Sequence, residues 1–285
     1  MQEIDKFLKT IEEIRDPKKG CVWNLKQSHG SLKRYMLEES YEALEALDVV
    51  EESNGAAGFD NLKEELGDLL LQIVLHSRIA EENGRFSFAD VVNSIDTKMI
   101  KRHPHVFASD AAGTTEEVDK LWDAEKAKEK KARQGLFEGI PVNMPALARA
   151  WKISKKAVTE SFEWDEENKL WGQLDSEVHE LKEVIENYRL DTGKDPYKDG
   201  YDNERTRIDA ELELGDILFT VVNIARWYKI DPEDALRRVN NKFIDRFKVM
   251  QDLCKKKGLV MKECEVETLE GLWSEAKIML GSTVW

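Results

Sequence analysis

The chain has 285 residues, enough for about two domains of roughly 150 residues each. Its 41% apolar content supports a buried core, while 6 Pro and 16 Gly are too few for the many turns of an all-β fold. A formal net charge of −14 argues against a basic surface for a nucleic acid polymer, but not against a small phosphorylated ligand, because a divalent cation can neutralise carboxylates and phosphates together.

From the N-terminus, Met1 to Arg15 reads as a charged amphipathic helix and not as a signal peptide. Helical periodicity then continues through the chain. A helix is predicted over about 31–51, with Leu37, Tyr41, Leu44 and Leu47 on one face. The next, over about 60–82, is expected to pack Leu62, Leu66, Leu69, Leu70, Ile73 and Val74 inward. A third starts at Ser87, whose hydroxyl suits an N-cap with Asp90 three residues on. It stops before His103-Pro104, since Pro disfavours helix in the preceding residue. A fourth covers about 115–133. Gln134-Gly135 through Pro141 and Pro145 forms the best candidate boundary, dividing the chain into units 1–133 and 146–285 joined by a linker over 134–145. Helices over about 145–159, 170–190, 206–228, 232–256 and 262–280 complete the second unit. The polar stretch from Asp191 onward is expected to be a loop. No apolar run approaches the ~20 residues of a membrane span. The three cysteines, Cys21, Cys254 and Cys264, contain no C-x-x-C pair and give neither a disulfide framework nor a zinc ribbon. The expectation is a cytoplasmic protein with no membrane contact.

The second half repeats the first. Glu65-Leu66-Gly67-Asp68 reappears as Glu213-Leu214-Gly215-Asp216, and upstream Glu39 and Glu42 match Glu177 and Glu180. Lys98 and Arg102 match Lys242 and Arg246, and Trp122 and Lys126 match Trp273 and Lys277. Residues i and i+3 of a helix share a face. Glu39 with Glu42, and Glu65 with Asp68, therefore converge if their helices run antiparallel, and the same holds for Glu177, Glu180, Glu213 and Asp216. Four carboxylates so placed repel one another until a proton or a cation relieves them. An oxygen-only donor set favours Mg²⁺, Mn²⁺ or Ca²⁺ over zinc or copper.

An E-x-x-E pair alone is most often a solvated helix face; two pairs, one of them in an apolar helix and both duplicated, favour a metal site. A di-iron carboxylate centre would need Glu-x-x-His twice, and none of the five His residues has Glu three positions before it. His76 is read as a packed or rim histidine. Gly67 and Gly215, inside helices at a cost of about 1 kcal/mol each, are expected to admit a close helix or ligand approach. Lys98/Arg102 and Lys242/Arg246 are i, i+4 pairs that form either ordinary cationic faces or phosphate clamps. Trp122 and Trp273 are as suited to core packing as to base contact.

These motifs resemble the MazG family of nucleoside triphosphate pyrophosphohydrolases over nearly the whole chain. Cys21-Val22-Trp23-Asn24 through Gln27-Ser28-His29 is similar to the family's C-P-W-D…Q-T-H opening, and Leu37-Glu38-Glu39-Ser40-Tyr41-Glu42 to L-E-E-x-Y-E. Glu65 to Leu70 resembles E-L-G-D-L-L, and Lys101 to Phe107 resembles R-R-H-P-H-V-F. Val222 to Arg226 and Asn240 to Phe247 are similar to V-N-x-x-R and N-x-K-F-x-x-R-F.

The resemblance implies an all-α fold of tandem duplicated units like four-helix bundles, completed by homodimerisation. It implies Mg²⁺-dependent hydrolysis of nucleoside triphosphates to monophosphate and pyrophosphate, with broad base tolerance and a role in clearing unwanted nucleotides. Glu39, Glu42, Glu65 and Asp68 would hold the metal in the first unit, and Glu177, Glu180, Glu213 and Asp216 in the second. Glu38 would be the base. Lys242, Arg246, Trp273 and Lys277 would contact the nucleotide, as would Lys98, Arg102, Trp122 and Lys126 by repetition. Ser176 stands where the first unit has Glu38, and Ser161-Phe162-Glu163-Trp164 replaces the family's G-F-D-W. A nucleotide- or metal-binding regulatory module and a purely structural helical adaptor are the competing classes.

Overall fold

The structure is a computed structural model that describes residues 2–53, 56–108, 113–130 and 135–281. Among these there are helices and no strands. The chain divides into two compact units, 1–132 and 133–285.

The first unit contains α1 (Gln2–Ile14), α2 (Val22–Leu25), α3 (His29–Ser53), α4 (Ala56–Glu82), α5 (Phe88–Arg102), α6 (Pro104–Phe107) and α7 (Thr115–Lys130). Its centre is the hairpin of α3 and α4, against which α1 and α5 pack, with α7 on α5. Ala43 and Ala46 are buried on α3, and their small side chains let the two backbones approach. Ile11, Leu32, Val74, Leu75 and Ile79 form the core, bordered by Phe7, Tyr35, Leu70 and Leu71. Arg15, 5% exposed, is held by Glu82 at 2.8 Å, and Arg78 adds a second bond to Glu82 at 3.1 Å. Removing such a charge from water is tolerable only when it is paired and hydrogen-bonded.

Periodicity locates α4 but misassigns part of its inward face. Val74 is buried, whereas Leu66 and Ile73 are 53% and 38% exposed. Gln72, Leu75 and Ile79 take the inner positions instead, because the core stripe is rotated toward α1 and α3. Leu37, Tyr41, Leu44 and Leu47 do share a face of α3, and that face is exposed. Ser87 caps α5 with the reciprocal bonds of a capping box to Asp90.

The second unit contains α8 (Ala146–Thr159), α9 (Glu167–Thr192), α10 (Pro196–Asp199), α11 (Glu204–Trp227), α12 (Pro232–Lys256) and α13 (Val266–Met279). Here α9 and α11 form the hairpin, α8 packs on α11, and α12 pairs with α13. Gly193, at φ 69, ends α9 in the left-handed conformation that suits glycine. The segment expected to be a loop contains α10 and is fastened by Tyr188, whose hydroxyl bonds Gly200 O and Asp202. Met250, Leu253, Cys254, Leu272 and Ala276 form a separate core between α12 and α13, with Trp273 against it.

Candidate metal and nucleotide site

The helices α3 and α4 pack along one another as a hairpin, so the i, i+3 carboxylates of one meet those of the other. Oxygens of Glu39, Glu42 and Glu65 lie within 4.8 Å of one another. In the second unit Glu177, Glu213 and Asp216 do the same. Asp68 and Glu180 stand outside these closest triples but inside their fields. Burial, then the charge of Asp68, pushes the Glu39 carboxyl up from its ordinary 4.5. Burial and then Glu42 and Asp68 push Glu65 up, and burial followed by Glu180, Asp216 and Glu177 raises Glu213. Among the described residues no Lys, Arg or His forms an ion pair with any of these eight side chains. Two polar neighbours do reach them, as Gln173 donates to Glu177 at 2.6 Å and Ser176 to Glu180 at 2.9 Å.

Uncompensated anions held by rigid helices fit a hard divalent cation, which takes carboxylate oxygens and no nitrogen or sulfur. Glu38 is exposed beside the first cluster.

The matched cations lie on other elements. Lys98 is half-buried on α5 and has no ion pair among the described residues. Arg102 lies 5.1 Å from the centre of the Trp122 ring, and His103 meets the same ring edge-on. The Lys126 side chain falls outside the described residues. In the second unit Lys242, Arg246 and Lys277 also lack an ion pair among the described residues. Trp273 stacks obliquely on Phe243 at 5.0 Å and borders an open groove that Lys277 also lines. Lys98, Lys242, Arg246 and Lys277 form no ion pair with their unit's carboxylates among the described residues.

Across 27–107 and again across 166–250, the sequence matches the model of the MazG nucleotide pyrophosphohydrolase domain. The chain belongs to the MazG family. It is 38% identical over 273 residues to the Thermotoga maritima nucleoside triphosphate pyrophosphohydrolase/pyrophosphatase MazG, an alignment covering 96% of this chain and 95% of that protein. It is 34% identical over 283 residues to the nucleoside triphosphate pyrophosphohydrolase of Escherichia coli K12, covering 97% and 98%. A nucleoside triphosphate pyrophosphohydrolase of Mycobacterium tuberculosis aligns over 137 residues at 39% identity, 47% of this chain and 39% of that one. In each MazG match of this chain the domain spans one carboxylate cluster, and each cluster sits in one helical hairpin.

Two features of the MazG hairpins differ from the sequence reading or escape it. A Cβ at Gly67 or Gly215 would meet nothing within 4 Å, so among the described residues no helix makes the close approach expected there, and the space beside both glycines is open. His29 and His76 tie the start of α3 to α4 through their Nδ1 atoms, 2.7 Å apart, with the rings stacked. The two lie 47 residues apart in sequence, and only their Q-x-H and helical positions hint at the pair. Burial, then His29, lowers the His76 imidazole below its usual 6.5.

Proposed function

We propose that this chain hydrolyses nucleoside triphosphates to monophosphate and pyrophosphate with Mg²⁺, for which Mn²⁺ can substitute, and that it tolerates many bases. The observation that carries the reading is the duplicated carboxylate cluster, which has no ion-paired Lys, Arg or His among the described residues. Glu39, Glu42, Glu65 and Asp68 would hold the metal in the first unit, and Glu177, Glu180, Glu213 and Asp216 in the second. A divalent ion held there would supply electrostatic stabilisation of the charge that builds up on phosphate in the transition state. The chain's own groups do the rest. Lys98 and Arg102, with Lys242, Arg246 and Lys277, bind phosphate oxygens, and Lys242 and Arg246 on α12 and Lys277 on α13 have no carboxylate partner among the described residues. Trp122 and Trp273 offer a ring face, which any base can stack on; Lys126 is assigned to the nucleotide by its match with Lys277. Glu38 takes the proton of the water that attacks near the α–β bridge.

Two further readings accompany this one. Leu37 and Tyr41 on α3 and Leu66 on α4 are about half exposed, as are Leu212 and Leu218 on α11. Apolar stripes of this length favour a homodimer in which hairpins cover one another. No described helix is long and apolar enough to cross a membrane. The free thiols of Cys21, Cys254 and Cys264 suit the reducing cytoplasm, where the substrates are.

Glu39→Gln combined with Glu177→Gln should lower pyrophosphate release by roughly 100-fold or more, as loss of preorganised electrostatic stabilisation does, with helicity intact. Unchanged turnover would remove the mechanism. One observation favours a regulatory second unit. Ser176 replaces the Glu38 carboxylate and is already bonded to Glu180, so calorimetry would then show Mg-nucleotide binding there without product.

A further inference from the structure

The two carboxylate clusters use matched residues, but the first arm of each hairpin supports them differently. Glu39 and Glu42 on α3 correspond to Glu177 and Glu180 on α9. Four positions upstream of these, the first unit has Tyr35 and Glu38, and the second has Gln173 and Ser176. Residues four apart on a helix lie one above the other, so a donor placed there can hold the carboxylate that follows it.

In the second unit both donors are in use. Gln173 Nε2 donates to Glu177 Oε1 at 2.6 Å in a part-buried bond, and Ser176 Oγ donates to Glu180 Oε1 at 2.9 Å. Each bond uses one oxygen of its carboxylate and leaves the other. Both donors are neutral, so the cluster keeps its charge. The first unit has no such support. The Tyr35 hydroxyl is bonded to Arg34, and its ring packs against Trp23 and the core. Glu38 is exposed, and an ionised carboxylate only accepts hydrogen bonds. No Asn, Gln, Ser, Thr or Tyr side chain bonds Glu39 or Glu42 among the described residues.

We propose that Gln173 and Ser176 are positioning residues that preset the carboxylates of the second unit, which makes it the tighter divalent-cation site of the two. This rests on the metal reading given above. A free Glu side chain samples several rotamers and loses them when it becomes a ligand; Glu177 and Glu180 give up that freedom when the helix forms. Hydrogen bonds to ligating carboxylates change metal affinity by about 10–100-fold. The exchange of Glu38 for Ser176 therefore trades the proposed base of the first unit for a ligand support in the second.

Mn²⁺ titration of the full chain, followed by electron paramagnetic resonance with one cluster disabled at a time, reads the two sites separately. The Glu65→Gln chain, which keeps the second cluster, should bind Mn²⁺ about tenfold more tightly than the Glu213→Gln chain, which keeps the first. Adding Gln173→Met to the Glu65→Gln chain should remove most of that advantage, because Met is close to Gln in length and helix propensity and has no N–H to donate. Ser176→Ala should weaken binding further. Neither change should lower the thermal midpoint measured without metal, as loss of a packing role would. Equal or weaker Mn²⁺ binding in the Glu65→Gln chain overturns the proposal. So does affinity that survives Gln173→Met with Ser176→Ala, or that falls together with the metal-free midpoint. These three results leave the metal reading standing. Mn²⁺ binding by neither single-cluster chain removes that reading and the proposal with it.

Discussion

At the residue scale the first unit carries two acid-sensitive ties. His76 is held below its ordinary pKa by burial and by His29. The folded state resists protonation, so this contribution is present above about 6.5 and is lost as pH falls through the lowered value. Glu82 is held below 4.5 chiefly by its hydrogen bond to Arg15. Its contribution is present above the unfolded value and is lost at still lower pH. The thermal midpoint should therefore fall in two stages on acidification, and His29→Gln should reduce the upper stage only. A single stage unaffected by that change would contradict the assignment. Gly67 makes a different prediction. A Cβ there meets nothing, so Gly67→Ala should stabilise the helix by about 1 kcal/mol, read as a raised unfolding midpoint. A loss of stability would mean that the backbone needs glycine there. Neither His pair nor open glycine follows from spacing alone, because both depend on which residues of a distant helix come alongside.

The hairpin is the element that carries each carboxylate cluster, and it is the most legible part of the chain. Glu39, Glu42, Glu65 and Asp68 are spaced by the helical repeat, and a short connection forces α3 and α4 antiparallel, so their convergence is a consequence of geometry. The hidden part was the orientation of the apolar residues. Leu66 and Ile73 carry the hydrophobic signal expected of a core and yet face outward. Periodicity identifies an apolar stripe but not the surface that covers it. Divalent cations that bind the folded hairpin and not the unfolded chain should raise its midpoint. Mg²⁺ should stabilise the wild type more than a chain carrying Glu65→Gln and Glu213→Gln, measured by differential scanning calorimetry. Equal shifts in both would mean that the ion binds elsewhere.

For the whole molecule, duplication is the organising fact, and it serves as an internal comparison. The repeated E-L-G-D segments made two helical units readable in the sequence, and the MazG match covers each. What repetition conceals is divergence. Ser176 in place of Glu38, the fastened insert around α10, and Asn223 in place of Leu75 distinguish the second unit, and only their surroundings show the effect. Activity of each unit is separable by disabling one cluster at a time. Glu39→Gln alone and Glu177→Gln alone should each leave the other unit's turnover, assayed as pyrophosphate release from a panel of nucleoside triphosphates. Complete loss in one single variant assigns all hydrolysis to that unit. Both units are still expected to take up metal. The most direct test is titration with Mn²⁺ followed by electron paramagnetic resonance. The wild type should bind at one site per unit, with the first lost in Glu65→Gln and the second in Glu213→Gln; Mn²⁺ uptake identical in all three proteins would contradict the account.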